Sequence, residues 1–189
     1  MDKGLNLLNC LSSKSESLEK VLNILEIPDI FKLFLSIYEV DYKMLKNELL
    51  FINGRHEIFM NFQLFRNFSI NNENYNATID RILEYEALVL EYMAYKEKSE
   101  NWHQIGLMKI GFLFHGDLLL LGIENDKRDE IWRYGNGLLS KVCCKLDNNI
   151  FEFFSRLILD FDTELLDEYN LDISSLYKKF GEDFWRVQE

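Results

Sequence analysis

Proline is nearly missing from this chain: Pro28 is the only one among 189 residues, and only nine glycines accompany it. No proline-rich linker and no flexible hinge segment can be assembled from these, and no internal repeat marks a boundary, so one domain is expected over residues 1–189. Cysteine is scarce and odd in number, with three residues at Cys10, Cys143 and Cys144. Disulfide geometry does not easily allow adjacent residues to bridge, so a reducing compartment is the better match. In a strand, neighbouring cysteines would face opposite sides. Histidine is equally sparse. His56, His103 and His115 form no i, i+4 pair and no array of zinc spacing, so no metal site is expected. Nucleophile-elbow, Walker and dinucleotide glycine patterns are missing, and Gly106, Gly111, Gly116 and Gly122 read as strand-end and bulge glycines instead. The apolar stretch in the opening MDKGLNLLNCLSS is too short and interrupted for a secretory core or a membrane span. The chain is therefore read as cytoplasmic, with no membrane and no cofactor.

What is present is a generous apolar complement. The chain is 48% hydrophobic, 14% aromatic and 28% charged, too rich in core-forming residues for a disordered polymer. A domain of this length buries about 70% of the surface its unfolded chain exposes. The formal net charge is −11, and it is unevenly placed. Residues 1–72 hold 9 acids and 8 bases, whereas residues 73–189 hold 23 acids and 13 bases. Such a field repels phosphate backbones, which excludes direct nucleic-acid binding as the main role. It either serves solubility alone or attracts basic partners and speeds their encounter.

Periodicity supplies the elements. Leu18, Val21, Leu22 and Leu25 predict a helix over 15–26, capped by Ser15 or Ser17. Pro28 suits the first turn of a second helix, on which Phe31, Phe34, Leu35 and Tyr38 form an aromatic stripe. Asn53-Gly54 between the apolar runs 48–52 and 56–62 predicts a hairpin with those two residues at its centre. Residues 62–76 read as irregular. Ile79, Ile82, Leu83, Val89, Leu90 and Met93 predict a long helix over 78–98, with a strand pair as the alternative. Strands follow at 102–107, 117–123, 130–134 and 138–146, with turns at His115-Gly116-Asp117 and Glu124-Asn125-Asp126-Lys127. A helix over 149–160, capped by Asp147 or Asn148, and another near 173–180 complete the order. Helices, hairpin, helix, strand cluster and helices together predict an α+β domain with a largely antiparallel sheet.

Two features invite a catalytic reading. His115 and Asp117 would share a face if they lay in a strand, and such a pair can move protons; ordinary turn chemistry is the favoured account. Asp160, Asp162, Glu164, Asp167, Glu168 and Asp172 make a run of six acids without a base. Paired carboxylates can hydrolyse glycosides if they face one another across a cleft. A solvated acidic face or a partner-binding face needs no such convergence. A hydrolase reading requires these groups to meet in a cleft.

Two stretches together resemble the SUKH superfamily. Ile27-Pro28-Asp29-Ile30-Phe31-Lys32-Leu33-Phe34-Leu35-Ser36-Ile37-Tyr38 is similar to that family's opening helix. Trp102-His103-Gln104-Ile105-Gly106, then Gly116 to Ile123, then Ile131-Trp132-Arg133-Tyr134 resemble its strand cluster, and Asn148 to Leu157 its closing helix. The likeness is strongest over 27–158. It departs where Glu39-Val40-Asp41 replaces the family's glycine turn, and segment 73–100 is longer than the family's minimal core. The resemblance implies a twisted, mainly antiparallel sheet with helices around it, and Pro28, Phe34, Trp102, Gly106, Gly116 and Trp132 as core and turn positions. It implies no catalytic residue. It implies a protein-binding role: an immunity protein that neutralises a bacterial toxin, such as a nuclease, by direct binding and occlusion. The alternative it implies is a non-enzymatic regulatory scaffold with an endogenous protein partner. The residues expected to meet a basic toxin are Glu124, Asp126 and Asp129 on a turn, and Asp160, Asp162, Glu164, Asp167 and Glu168 after the closing helix.

Overall fold

The apolar runs that flank residues 54–55 pair as expected in the computed structural model, which describes residues 9–10, 22–23, 25–39, 48–53, 56–70, 72–135 and 142–161. β1 (Asn9–Cys10) pairs with β2 (Tyr38–Glu39) as a short separate ladder, and between them in sequence lies α1 (Asp29–Ile37). β3 (Glu48–Asn53) and β4 (His56–Ile70) form the hairpin. Asn53 pairs with His56, so the connection is residues 54–55 and Asn53 belongs to the ladder, one position away from the expected centre. β5 (Glu73–Ile82), α2 (Tyr85–Lys96), α3 (Asn101–Gln104), β6 (Leu107–Leu113), β7 (Leu118–Gly122), β8 (Ile131–Tyr134), β9 (Cys143–Asp147), α4 (Ile150–Ser155) and β10 (Ile158–Phe161) follow.

Eight strands make one sheet in the order β10-β4-β5-β6-β7-β8-β9, with β3 also on β4, and every neighbouring pair is antiparallel. The α+β reading therefore stands. Three register shifts disturb the sheet, one of them in the β8–β9 ladder between Ile131 and Trp132, and two of them reset which residues are buried. In β5 the buried residues Ala77, Ile79 and Ile82 are spaced by two and then three, where the register shifts between Ile79 and Arg81. In β6, Met108, Ile110 and Leu113 repeat that pattern across a shift between Lys109 and Gly111. One extra residue in each strand slips the period-2 alternation, so the residues after the bulge still point into the core.

α1, α2 and α4 cover one face. Leu25, Ile27, Phe31, Phe34, Leu88, Tyr92, Tyr95, Phe153 and Phe154 bury against Ile79, Met108, Ile110, Leu119, Leu121 and Ile131. Phe34 stacks on Phe154 with centroids 5.1 Å apart and meets Phe151 edge-on at 5.6 Å, which locks α1 to α4. On the opposite face Leu107, Leu118 and Leu120 pack with Trp102, Phe112, Trp132, Tyr134 and Cys143. Cys144 packs against the first cluster and Cys143 against the second, so the tandem cysteines do face opposite ways. Burial pushes the Cys143 thiol up to about 11.

Several expectations are corrected. Residues 62–70 and 73–76, expected to be irregular, belong to β4 and β5, which pair antiparallel from Phe65 with Thr78 to Ile70 with Glu73. The helix expected over 78–98 starts only at Tyr85, and 78–82 completes β5: Ile79 and Ile82 follow the bulged strand period. Residues 101–104 are a helical turn instead of a strand, nucleated by a reciprocal capping box between Glu100 and His103. The helix after β9 ends at Ser155 and 158–161 is a strand; its cap is Asn149, whose side-chain oxygen accepts from the Glu152 N–H at 2.9 Å. Pro28 sits just outside α1, where its carbonyl accepts from the Lys32 N–H at 3.0 Å. Of the helix expected at 15–26, Leu22 and Asn23 are helical and 15–21 and 24 lie outside the described residues. The helix near 173–180 and residues 136–141 also lie outside them.

Candidate partner-binding surface

The turn 124–130 that carries three of the expected contact residues is held by glycine. A Cβ on Gly122 would meet the Lys127 carbonyl oxygen at 1.8 Å, so only glycine lets the turn fold back on β7. The Gly122 N–H then donates to the Glu130 carbonyl at 2.8 Å, and the Asp129 N–H to the Gly122 carbonyl at 3.1 Å. The acids here are matched by cations. Glu124 pairs with Lys98 at 2.6 Å and accepts from the Tyr95 hydroxyl at 3.3 Å. The Lys98 bond holds the Glu124 carboxyl below its usual range. Asp126 pairs with Lys127 at 2.6 Å, which depresses it likewise. Glu130 takes Lys145 and the Trp132 indole N–H, the latter at 3.1 Å. Asp129 has φ of 72° and one carboxyl oxygen buried with no hydrogen-bond partner among the described residues. Burial pushes its carboxyl up, Arg128 opposes this, and nearby Asp29 adds to it. Because Lys98, Lys127, Arg128 and Lys145 stand among Glu124, Asp126, Asp129 and Glu130, the local field of this turn is weak.

Of the second expected group, Asp160 lies in β10, paired with Gln63 of β4. Asp162, Glu164, Asp167 and Glu168 lie outside the described residues. His115 and Asp117 do not converge. His115 is exposed in a left-handed turn at φ 63°, while Asp117 is buried and bonded by Arg133 at 2.7 Å. This is the turn chemistry that the sequence favoured. No group of three or more His, Cys, Asp or Glu among the described residues is placed to hold a metal ion. Among the described residues no helix is long and apolar enough to cross a membrane.

Next to the turn, joined to it by the Lys98–Glu124 pair, is α2. Its inward stripe is Leu88, Tyr92 and Tyr95. Leu90 and Met93, two of the apolar residues whose spacing predicted a helix here, are 71% and 60% exposed. A helix that is apolar all round is ordinarily buried on all sides. Glu86 and Glu97 are exposed on the same stripe, one turn before Leu90 and one turn after Met93. Neither has an ion-pair partner among the described residues, in contrast to the turn acids. The signal in sequence was the excess of apolar residues on one helix: Leu88, Val89, Leu90, Tyr92, Met93 and Tyr95 cannot all point inward.

α2 is riveted in place from below. The Glu91 carboxylate, 9% exposed, accepts from the fully buried His103 Nε2–H at 2.8 Å and meets the Lys109 ammonium at 3.1 Å. His103 Nδ1 accepts from the Glu100 N–H at 3.2 Å, which fixes the proton on Nε2. Burial pushes the Glu91 carboxyl up, but the His103 and Lys109 bonds outweigh it and hold the group below its usual value. The result is a firmly seated helix presenting an apolar centre between two carboxylates that have no ion-pair partner among the described residues.

No protein-family model matches the chain, and no curated protein matches it either.

Proposed function

We propose that this chain is an immunity protein: it binds a basic bacterial toxin and blocks the toxin's working surface by occlusion. The observation that carries the reading is the juxtaposition of exposed Leu90 and Met93 with the carboxylates Glu86 and Glu97, which have no ion-pair partner among the described residues, on a protein of net charge −11. An apolar anchor ringed by charge is the usual composition of a protein-binding face. The acidic surplus speeds the encounter with a cationic partner. The resemblance of residues 27–158 to the SUKH superfamily supports the choice of a toxin as that partner.

The test begins with the DNA flanking the gene. A neighbouring frame for a secreted protein with a distinct C-terminal toxin domain supplies the partner. Co-expression of this chain must then rescue growth of cells producing that domain. The association rate is expected to fall steeply as salt rises, as steered encounters do. Unrescued growth with soluble, folded chain present overturns the immunity reading and leaves a regulatory scaffold with an endogenous partner.

A further inference from the structure

We infer that the outer stripe of α2 is the docking face for the partner, and that its occupant is a cationic, apolar-tipped segment of a protein, with Leu90 and Met93 receiving the apolar tip and Glu86 and Glu97 receiving flanking lysine or arginine. The inference rests on the proposed binding role and assigns it to a place. Glu86, Leu90, Met93 and Glu97 follow one another at i, i+4, i+7 and i+11, which puts them in a single row about 16 Å long at the usual rise of a helix. The two exposed apolar side chains lie at its middle and one carboxylate at each end. The lysines closest in sequence are already engaged: Lys96 with Glu26, and Lys98 with Glu124. They do not neutralise the row.

Charge decides between occupants. A second copy laid antiparallel on this stripe would set Glu86 of each against Glu97 of the other, four carboxylates with no cation between them. A neutral apolar segment would strip water from both carboxylates without replacing it. A segment with cations at both ends satisfies all four side chains. Among the described residues the other exposed large apolar side chains lack this flanking charge: Tyr75 and Ile105 stand singly, and Ile30 and Leu33 on α1, 38% and 52% exposed, have one turn away only Glu26, already paired with Lys96, and Ile37. The buried Glu91–His103–Lys109 cluster also fixes α2 before binding, so little ordering is left to be done at encounter.

The experiment uses the full chain with two probes: a short amphipathic peptide of lysine and leucine, and an oligolysine of equal charge. Binding is read by heteronuclear NMR titration of wild type, Leu90→Gln/Met93→Gln and Glu86→Gln/Glu97→Gln. All four side chains are on the outside, so folding is checked only by the unchanged spectrum elsewhere. The expected result is that shifts centre on residues 86–97 and that the lysine–leucine peptide binds about tenfold more tightly than oligolysine. The Leu90→Gln/Met93→Gln chain should lose that difference, and the Glu86→Gln/Glu97→Gln chain should bind with a flatter salt dependence. Equal binding of both peptides by wild type, or shifts centred on 124–130, overturns the assignment. So does a wild-type dimer in sedimentation that Leu90→Gln/Met93→Gln dissolves, since the occupant is then a second copy. The rescue assay separates the two claims. If Leu90→Gln/Met93→Gln still neutralises the toxin, this face is wrong and the immunity reading stands. If the peptide results hold and no neighbouring toxin is neutralised, the face stands and the immunity reading falls.

Discussion

Replacing Glu91 with leucine isolates the energetics of the cluster beneath α2. Leucine keeps most of the glutamate volume, so a cavity contributes little. What is lost is the acceptor for His103 Nε2–H, which has no access to water, and the counter-ion of Lys109, whose side chain is 21% exposed. An orphaned buried donor costs about 1–3 kcal/mol, and removing one member of a buried ion pair about 3–5 kcal/mol. Because the Lys109 ammonium can turn toward solvent, the lower part of that range applies, about 3 kcal/mol. For a chain of this size that lowers the melting temperature by roughly 6–12 °C. Urea unfolding followed by circular dichroism reads it as a lower midpoint with an unchanged slope. Adding His103→Leu removes the orphaned donor, so the double variant should be more stable than the sum of the two single losses by at least about 1 kcal/mol. The acid limb gives a second readout. The folded-state Glu91 carboxyl lies below its ordinary value, so its stabilisation is complete above the unfolded-state value, roughly pH 4.3, and is lost as pH falls through the folded-state one. Glu91→Leu should flatten the loss of stability in that window below about pH 4.3. A loss under about 1 kcal/mol, or strict additivity in the double variant, would falsify the cluster's role as the rivet of α2.

Other outcomes follow from single residues. Gly122→Ala should unfold the turn 124–130 or abolish soluble expression, because its methyl meets backbone at 1.8 Å, whereas Gly116→Ala faces open space and pays only for φ of 81°, about 1–2 kcal/mol; equal melting temperatures for the two variants would contradict this. Asn149→Ala removes the cap bond to the Glu152 N–H and should cost about 1 kcal/mol in chemical denaturation, with Asn149→Asp restoring it. In a Cys10→Ser background, both remaining thiols should react with an aromatic disulfide reagent at pH 8 far more slowly than after unfolding, since burial raises both and leaves about a thousandth of Cys143 as thiolate. Rapid labelling of the native chain would mean that β9 is open.

Much of the fold was legible wherever one physical signal acted alone. The aromatic stripe Phe31 and Phe34 located α1, Leu118 to Gly122 located β7, and the split of Cys143 and Cys144 followed from strand alternation. Legibility failed where two signals overlapped. The bulges in β5 and β6 place buried residues three apart, which imitates a helical period, and residues 78–82 were drawn into the following helix for that reason. In 101–104, β-forming Trp102 and its neighbours were overruled by the capping box of Glu100 and His103. The candidate surface was less legible still. Acid density pointed to Glu124, Asp126 and Asp129, but sequence does not reveal that Lys98 and Lys127 lie against two of them. On α2, apolar identity alone does not separate Leu88, which is buried, from Leu90, which is not.

The length of β4 has a consequence for how the chain is made. Its first part pairs with β3 and its last with β5, both close by in sequence, while Phe62 to Phe65 also wait for β10, Phe65 pairing in addition with Thr78 of β5. During synthesis those four residues emerge long before Ile158 to Phe161 exist to cover them. Pairings this distant form late and slowly. Until then the nascent chain carries an open strand edge of the kind that recruits other chains. Residues 158–189, with 9 acids and 3 bases, carry the larger share of the acidic surplus and are made last, so most of that repulsion arrives only with β10. A ribosome-bound holdase is therefore expected to engage this chain between the emergence of β4 and that of β10, and to release it when the last strand docks.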